Sequence, residues 1–335
     1  MKESAHGRIH LSVAETRELG EGALRGMGLA AEEAQIVSDH VIDAALCGYE
    51  YSGLAKLLNV AESPRFAKPR SPMRVVRETT VSALYDGGNN VGMLTVYHAT
   101  RDAVSRANAH GFALVGVTNS WTSGRGAYYV ELIARAGLIG IQTVSASRRV
   151  APFGGKKPAL GTNPIALGFP TEGDPLLIDM GTSAFMASDV KVRERAGTPL
   201  PEGVALDRDG RPTTDPGAAH RGAILPFGGY KGFGLALAMR ALGVLCSPML
   251  DLEKIYGFLT IAIKPDLLVP EAEYRSQLSA AIAEIKATPR QDGVEEIRIP
   301  GERSQRERAQ RLRDGIEIDR LTYESLAGYA KGGAR

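Results

Sequence analysis

Ala151-Pro-Phe-Gly-Gly-Lys-Lys-Pro-Ala-Leu-Gly-Thr-Asn-Pro-Ile-Ala-Leu-Gly-Phe-Pro170, continued by Leu176-Leu-Ile-Asp-Met-Gly-Thr-Ser183, is the stretch on which the fold is read. Gly154, Gly155 and Gly161 let backbone come close to another group, and Thr162 and Asn163 add short polar side chains. The apolar run that follows ends in Asp179 and the hydroxyls of Thr182 and Ser183. Two readings fit these residues: a pair of turns between strands, or one wall of a small-molecule site.

Outward from this wall, apolar runs of strand type alternate with helical patterns. Upstream, 75–85 alternates like a strand and ends in Asp86-Gly-Gly-Asn-Asn90, a turn signal. A helix over 92–108, a strand over 111–118, a loop over 119–126, a helix through Ala136 and a strand over 139–144 follow. Downstream come a helix from Asp189, a Pro- and Gly-rich loop over 199–216 and the glycine loop 226–235, which opens an apolar helix. A strand over 256–263, a charged helix over 270–286, the turn 299–303, a basic helix and a final helix complete the chain. The alternation predicts an α/β core. No GxGxxG follows the first strand of a βαβ unit, so an ordinary Rossmann fold is not expected. At the start, Ser12 with Glu15 three residues later forms a capping-box signal, and 31–46 repeats apolar residues at helical spacing.

Composition sets outer limits. The chain has 335 residues, enough for two domains or one elaborated domain, and 44% hydrophobic with 23% charged residues is ordinary for a globular protein. A net charge of +2 points to neither nucleic acid nor an anionic membrane as partner. Cys47 and Cys246 are far apart and lack CxxC spacing, so no disulfide framework or cysteine metal site is expected. With no apolar leader and no run of roughly eighteen apolar residues, a cytoplasmic location is the expectation.

Six segments in order extend the signal: Gly-Gly-Lys-Lys-Pro-Ala-Leu-Gly-Thr-Asn-Pro, Ile-Asp-Met-Gly-Thr-Ser, Pro201-Glu-Gly-Val-Ala-Leu-Asp207, Pro212-Thr-Thr-Asp-Pro216, Gly228-Gly-Tyr-Lys-Gly-Phe-Gly-Leu235 and Ile299-Pro-Gly-Glu-Arg303. Together they resemble the type 2 malate/lactate dehydrogenase family, which includes sulfolactate and ureidoglycolate dehydrogenases and reductases of Δ1-piperideine-2-carboxylate and Δ1-pyrroline-2-carboxylate. The resemblance runs from Ser12 to the C-terminus. It implies an α/β, non-Rossmann fold with a mixed central sheet, a helical N- and C-terminal segment and a smaller helical lobe. The corresponding division is 1–75 with 300–335, 76–184 with 222–299, and 185–221. It also implies a homodimer and a nicotinamide cofactor held by Thr122, Ser123, Gly124, Arg125 and Gly126, by Asp179, Met180 and Gly181, by Lys231 and Gly232, and by Gly301, Glu302, Arg303 and Arg306. The arginines favour NADP(H) over NAD(H), because a guanidinium can grip a 2′-phosphate through two hydrogen bonds.

The proton-donor side departs from the family. In the family a histidine within Ser-His-Gly donates the proton and an aspartate completes the relay. Here Asp189 stands for the aspartate, while Tyr51 and Ser52 occupy the serine and histidine positions. The histidines at 6, 10, 40, 98, 110 and 220 lie elsewhere, His40 and His98 being expected on helix faces. Tyr51, Tyr49 and Tyr230 are candidate replacement donors. Alternatively, the substrate is a cyclic imine that arrives protonated, the favoured reading at this point, with a 2-oxo acid as the alternative and a non-catalytic cofactor binder as the third. On that third reading Asp189 is a helix cap. Lys56 replaces an arginine that binds the substrate carboxylate, so a small anionic substrate is expected beside Thr162 and Asn163. Ser52 could instead cap the next helix, and Trp121 could be either core or a pocket wall. The segment between Cys246 and Tyr256 looks shorter than its family counterpart.

Overall fold

The computed structural model describes residues 2–3, 8–246 and 257–332; the segment between Cys246 and Tyr256, expected to be shorter than in the family, therefore lies outside the described residues. Two short strands come first, Lys2–Glu3 (β1) and Ile9–Leu11 (β2). Ser12 then opens Val13–Gly26 (α1). Its hydroxyl accepts from the Glu15 N–H at 3.2 Å while the Glu15 carboxylate accepts from the Ser12 N–H at 2.8 Å, satisfying two otherwise orphaned donors. Ala31–Leu46 (α2) buries Ala34, Val37, Val41 and Ala45 along one stripe. A 3₁₀ turn, Glu50–Ser52, leads into Ala55–Ala61 (α3).

The alternating run 75–85, expected as one strand, reverses on itself. Arg74–Glu78 (β3) and Ser82–Asp86 (β4) pair antiparallel, with a bulge between Val75 and Arg77. In the turn, the Thr79 N–H donates to the Ser82 carbonyl at 2.8 Å and the Ser82 N–H donates to the Thr79 hydroxyl at 3.1 Å. A threonine hydroxyl that captures backbone in this way competes with ladder pairing, which a period-two pattern does not register.

Gly92–His110 (α4), Phe112–Thr118 (β5), Gly126–Arg135 (α5), Ile139–Ser145 (β6), Ile165–Phe169 (β7) and Leu176–Met180 (β8) follow. A small lobe contains Ala187–Ala196 (α6), Ala205–Leu206 (β9), Pro216–Arg221 (α7) and Ala223–Ile224 (β10). Then come Tyr230–Val244 (α8), Gly257–Ile263 (β11), Glu271–Lys286 (α9), Glu302–Asp314 (α10), Ile316–Ile318 (β12) and Arg320–Ala330 (α11).

The large sheet has the order β3-β4-β5-β11-β6-β7-β8. Only β4 and β5 pair parallel; every other neighbouring pair in this sheet is antiparallel. β11, late in the chain, inserts between β5 and β6, so the strands on either side of α5 are not neighbours. That insertion rules out a doubly wound parallel sheet and gives the expected mixed, non-Rossmann architecture. Ala113, Val115 and Val117 of β5 join Val96 and Ala99 of α4 and Ile133 of α5 in one core. On the opposite face, Cys246 just past α8 packs so closely on Gly116 that a Cβ there would collide with its sulfur.

A second core joins α1, α2 and α3 to β12 and α11, where Leu24, Val37, Leu57, Ile316 and Leu326 meet. β12 pairs with β2, which ties the chain's beginning to its end. The small lobe has its own cluster, including Val150, Leu160, Val190 and Ile224. Among the described residues, no helix is long and apolar enough to cross a membrane.

Candidate active site

The wall formed by the opening stretch is built by backbone. Thr182 N–H and its hydroxyl both donate to the Thr162 carbonyl, at 2.8 and 2.9 Å. The Phe227 N–H reaches the Thr182 carbonyl at 3.2 Å, and the Ala184 N–H reaches the Leu225 carbonyl at 2.8 Å. The end of β8 is thereby stitched to the glycine loop that opens α8. Gly232 is required there: a Cβ would strike the Phe227 and Thr182 carbonyls. Thr162 is half-buried and free to present its side chain, but Asn163 is not. Contrary to its expected role at the substrate, Asn163 has no exposed surface. Its carbonyl accepts from the Ala146 N–H and its amide donates to the Ala236 carbonyl, both at 2.9 Å. A buried amide must satisfy itself locally, and this one clamps two loops onto α8.

Asp179, at the end of β8, accepts from the Ala127 N–H at 2.8 Å. It thus caps α5 from across the fold, where Arg125 supplies no side-chain cap. The residue is exposed to solvent, yet its carboxylate is crowded by protein. Burial raises its pKa, against the Ala127 N–H, the Arg125 guanidinium and the Gly126 N–H, which lower it. The α5 N-terminus is consequently occupied by the chain's own anion.

The loop before α5 is held from behind. Thr122 has φ +57°, a strained value for a β-branched residue, and Gly124 has φ +73°. The Arg125 N–H donates to His40 Nε2 at 2.9 Å, and a Cβ on Gly124 would collide with that imidazole. The Arg125 side chain turns to Asp43, 2.7 Å away. Ser123 is buried, and its carbonyl accepts from the Tyr129 hydroxyl. Trp121 is core: it is 2% exposed and donates from Nε1 to the Asn89 carbonyl.

Across the cleft, the 3₁₀ turn 50–52, α3 and α6 converge. Tyr51 is half-buried and Ser52 buried; burial pushes the Tyr51 phenol up to about 12, the Asp189, Tyr49 and Asp179 charges adding to this and the Ser52 hydroxyl opposing it. Ser52 does not cap α3, whose N-cap is Leu54. Asp189 does not cap α6 either, because Met186 holds that position and Asp189 stands in the first turn. Burial raises the Asp189 pKa, while Arg193 and Lys56 lower it. Lys56 is pulled down from the ordinary lysine range by burial and by Lys191, with Asp189 acting in the other direction. Tyr230 lies apart from this group: it is 65% exposed and its ring meets Phe153.

The cationic residues expected at the cofactor differ in availability. Arg306 pairs with Glu296 at 2.7 Å, and Glu302 pairs with Lys286. Arg303 has no ion pair among the described residues and lies over one face of the Tyr49 ring, with Arg125 also against that ring. Gly301, with φ +94°, starts α10 against the Leu177 backbone. Met180 and Gly181 at the end of β8 and Lys231 at the start of α8 include two exposed side chains, Met180 and Lys231.

Several residues of this arrangement were not read from sequence: His40 as the loop anchor, Lys191 beside Lys56, and the ion network of Asp43, Glu131 and Arg308. Only Glu131 carried a signal. It interrupts the apolar stripe of α5, and an acid in that position must find a cation.

The sequence model of the malate/L-lactate dehydrogenase family matches residues 11–327. L-sulfolactate dehydrogenase of Methanothermobacter thermautotrophicus is 32% identical, covering 96% of this chain and 97% of its own. The solved sulfolactate dehydrogenase of Methanocaldococcus jannaschii superposes with a TM-score of 0.86 at 31% identity, covering 96% of this chain and 97% of its own. The Δ1-piperideine-2-carboxylate reductase of Pseudomonas syringae superposes with a TM-score of 0.83 at 26% identity, covering 96% and 99%.

Proposed function

The chain belongs to the malate/L-lactate dehydrogenase family and is an oxidoreductase, and from that premise we propose that it interconverts a 2-oxo acid and the corresponding 2-hydroxy acid with a nicotinamide cofactor. The observation that carries this reading is the proximity of Tyr51 to Ser52, Asp189 and Asp179 and of Lys56 to Asp189. Lys56 and Lys191 suit an anionic substrate, and two sulfolactate dehydrogenases are among the relatives.

The cleft fits the cofactor. Arg303, in the first turn of α10, makes no ion pair among the described residues, and it suits a phosphate. That supports NADP(H) over NAD(H), resting on Arg303 rather than Arg306. Met180, Gly181, Lys231, Gly232 and Gly301 would complete the cofactor wall. When bound, the nicotinamide supplies hydride; the chain's residues hold the anion, orient its C2 and provide the proton.

A cyclic 2-imino acid is the second reading, favoured by one observation: Ser52 stands at the family's histidine position, and a protonated imine needs no donor there. Turnover assays separate the two. With NADPH and NADH, a panel of 2-oxo acids, including sulfonated and dicarboxylic ones, and of cyclic imino acids is expected to show 2-oxo acid reduction with NADPH preferred. Reduction of the imines alone would move the assignment to imine reductase.

The chain is further read as a homodimer. α8 presents Tyr230, Leu237, Ala241, Val244 and Leu245 to solvent along one stripe, Leu237 at 53% and Leu245 at 60% exposure. α9 buries no residue. An apolar stripe of this kind is costly unless covered. Light scattering is expected to give twice the 35.7 kDa chain mass, and Leu237→Glu to give the single chain. A wild-type monomer at micromolar concentration would refute the dimer. The division into 1–75 with 300–335, a central unit and the lobe 185–221 is retained as part of this reading, although the first apolar cluster also takes in Val91, Met93, Leu94 and Trp121 and the lobe's cluster takes in Val150, Leu160, Ile224 and Ala236.

A further inference from the structure

We propose that Tyr49 is a positioning residue for the cofactor: its ring holds the Arg303 guanidinium in place for the 2′-phosphate that distinguishes NADP(H) from NAD(H). This rests on the dehydrogenase reading with its NADP(H) preference and deepens it.

Tyr49 is fixed by the way α2 ends. The Gly48 N–H donates to the Ala45 carbonyl at 3.1 Å and the Tyr49 N–H to the Ala44 carbonyl at 2.9 Å, the paired bonds with which a helix closes around a left-handed residue. Gly48 is that residue, with φ +82°. A side chain there would be strained, and its Cβ would also stand 3.1 Å from Arg303 Nη1. The Tyr49 carbonyl in turn accepts the Ser52 N–H at 3.0 Å, which closes the 50–52 turn. With its backbone bonded on both sides, Tyr49 projects its ring from a defined point.

Two guanidinia meet this ring. The Arg303 Cζ lies 5.0 Å from its centroid and the Arg125 Cζ lies 5.1 Å away. They are not equivalent. Arg125 is 8% exposed, and its charge is met by Asp43 at 2.7 Å. Arg303 is exposed, and the two carboxylates of α10 nearest it in sequence are engaged elsewhere, Glu302 with Lys286 and Glu307 with Arg311.

A long side chain loses rotamer freedom when it closes on a ligand, and one already held loses less. A carboxylate could hold Arg303 but would also neutralise it and occupy its N–H groups. An aromatic ring attracts the cation through its quadrupole and leaves the charge unneutralised. Arg303 is thereby ordered and still open to an anion, and its planar fork matches two oxygens of a phosphate monoester.

The experiment measures binding of adenosine 2′,5′-bisphosphate and adenosine 5′-monophosphate by isothermal titration calorimetry, so that neither turnover nor substrate enters. The ratio of the two affinities reads the 2′-phosphate alone. In the unmodified protein it should favour the bisphosphate by about tenfold or more. Tyr49→Leu should lower this ratio about fivefold to tenfold with the monophosphate affinity held within about twofold, and Tyr49→Phe should keep it. Arg303→Met should remove the ratio, and adding Tyr49→Leu to it should change nothing more, because the ring acts only through the guanidinium. Fluorinated phenylalanines at position 49 keep the ring's shape and drain its quadrupole, so they should lower the ratio stepwise; this arm decides the matter even where Tyr49→Leu does not fold. A Tyr49→Leu protein with the unmodified ratio, equal losses for both nucleotides, an Arg303→Met protein that keeps the ratio, or a fluorination series without effect overturns the proposal. An unmodified protein that binds the two nucleotides equally removes the NADP(H) preference itself, and with it the role of Tyr49.

Discussion

Arg308→Met is expected to lower stability by about 3–5 kcal/mol, read from urea denaturation at neutral pH, because it strips a buried carboxylate of its main counter-charge. Arg308 reaches both Glu131 oxygens at 2.6 Å from α10 and touches Asp43 at 2.8 Å. Glu131 is 5% exposed on α5, and Asp43 also holds Arg125. The network therefore joins α2, α5 and α10, with the Cys47 sulfur accepting from Arg308 Nε at 3.3 Å. Burial raises the Glu131 pKa, but the Arg308 and Arg135 guanidinia outweigh it and hold the acid below its usual value. Glu131 ionised without Arg308 pays the desolvation cost unrelieved. The double variant Glu131→Gln, Arg308→Met should recover much of the loss, since neither charge then remains buried. A loss under about 1 kcal/mol in the single variant would show that Arg135 and solvent suffice. The loop proposed to hold the cofactor shares Arg125 with this network, so the same variant should weaken binding of the nicotinamide cofactor.

The second large effect is in pH. His40 has its folded pKa depressed to about 3 from an ordinary 6.5, first by burial, then by Arg125 and Lys56. The unfolded chain therefore binds a proton at His40 between these values and the folded chain does not. Its contribution is complete above pH 6.5 and is lost as pH falls towards 3, at about 1.4 kcal/mol per pH unit. Comparing the wild type with a His40 variant over pH 6.5 to 5 isolates the histidine from the carboxylates, which both proteins share. Glu131, also depressed, loses stability at lower pH, whereas Asp43, Asp179 and Asp189 are raised and act in the opposite sense there. Urea denaturation at pH 7 and pH 5 should show a fall of about 1.5–2 kcal/mol in the wild type. In His40→Gln, whose side-chain oxygen can still accept the Arg125 N–H, that fall should nearly vanish. Equal pH dependence in the two proteins would place the acid sensitivity elsewhere. His40 also shows why a histidine at helical spacing need be neither a ligand nor an acid. Its Nε2 accepts a backbone N–H, and the proton on Nδ1 has no hydrogen-bond partner.

Local signals were legible wherever they depend on near neighbours in the chain. Ser12 with Glu15 made a capping box because both groups lie within one turn. The apolar runs of β5, β6 and β11 were recognised, as was the glycine loop opening α8. The order of six motifs identified the family. Legibility failed where a polar group's partner came from far along the chain. Asn163 looked like a substrate contact because a short amide beside a glycine suits one; its bonds to Ala146 and Ala236 removed it. Arg306 was read as a cofactor contact, and the fold gives it Glu296 as an exposed partner, a pairing that the sequence does not show. Segment 75–85 failed for a smaller reason, a threonine hydroxyl that closes a turn inside an alternating pattern.

Residues 151–183 by themselves left open a pair of turns or a site wall; it was their place in an ordered set of six motifs that carried the mixed α/β fold and the dehydrogenase family, because close backbone approach and strand periodicity are written in adjacent residues. The chemistry across the cleft was a different matter. Which donor stands ready there depends on α3, α6 and the 50–52 turn meeting in space, over separations of more than a hundred residues. A side chain's acidity follows the charges and the burial that surround it, and those are properties of the packed molecule. Burial raises the Tyr51 phenol and lowers the Lys56 ammonium because it disfavours the charged form of each, and that burial exists only in the packed molecule.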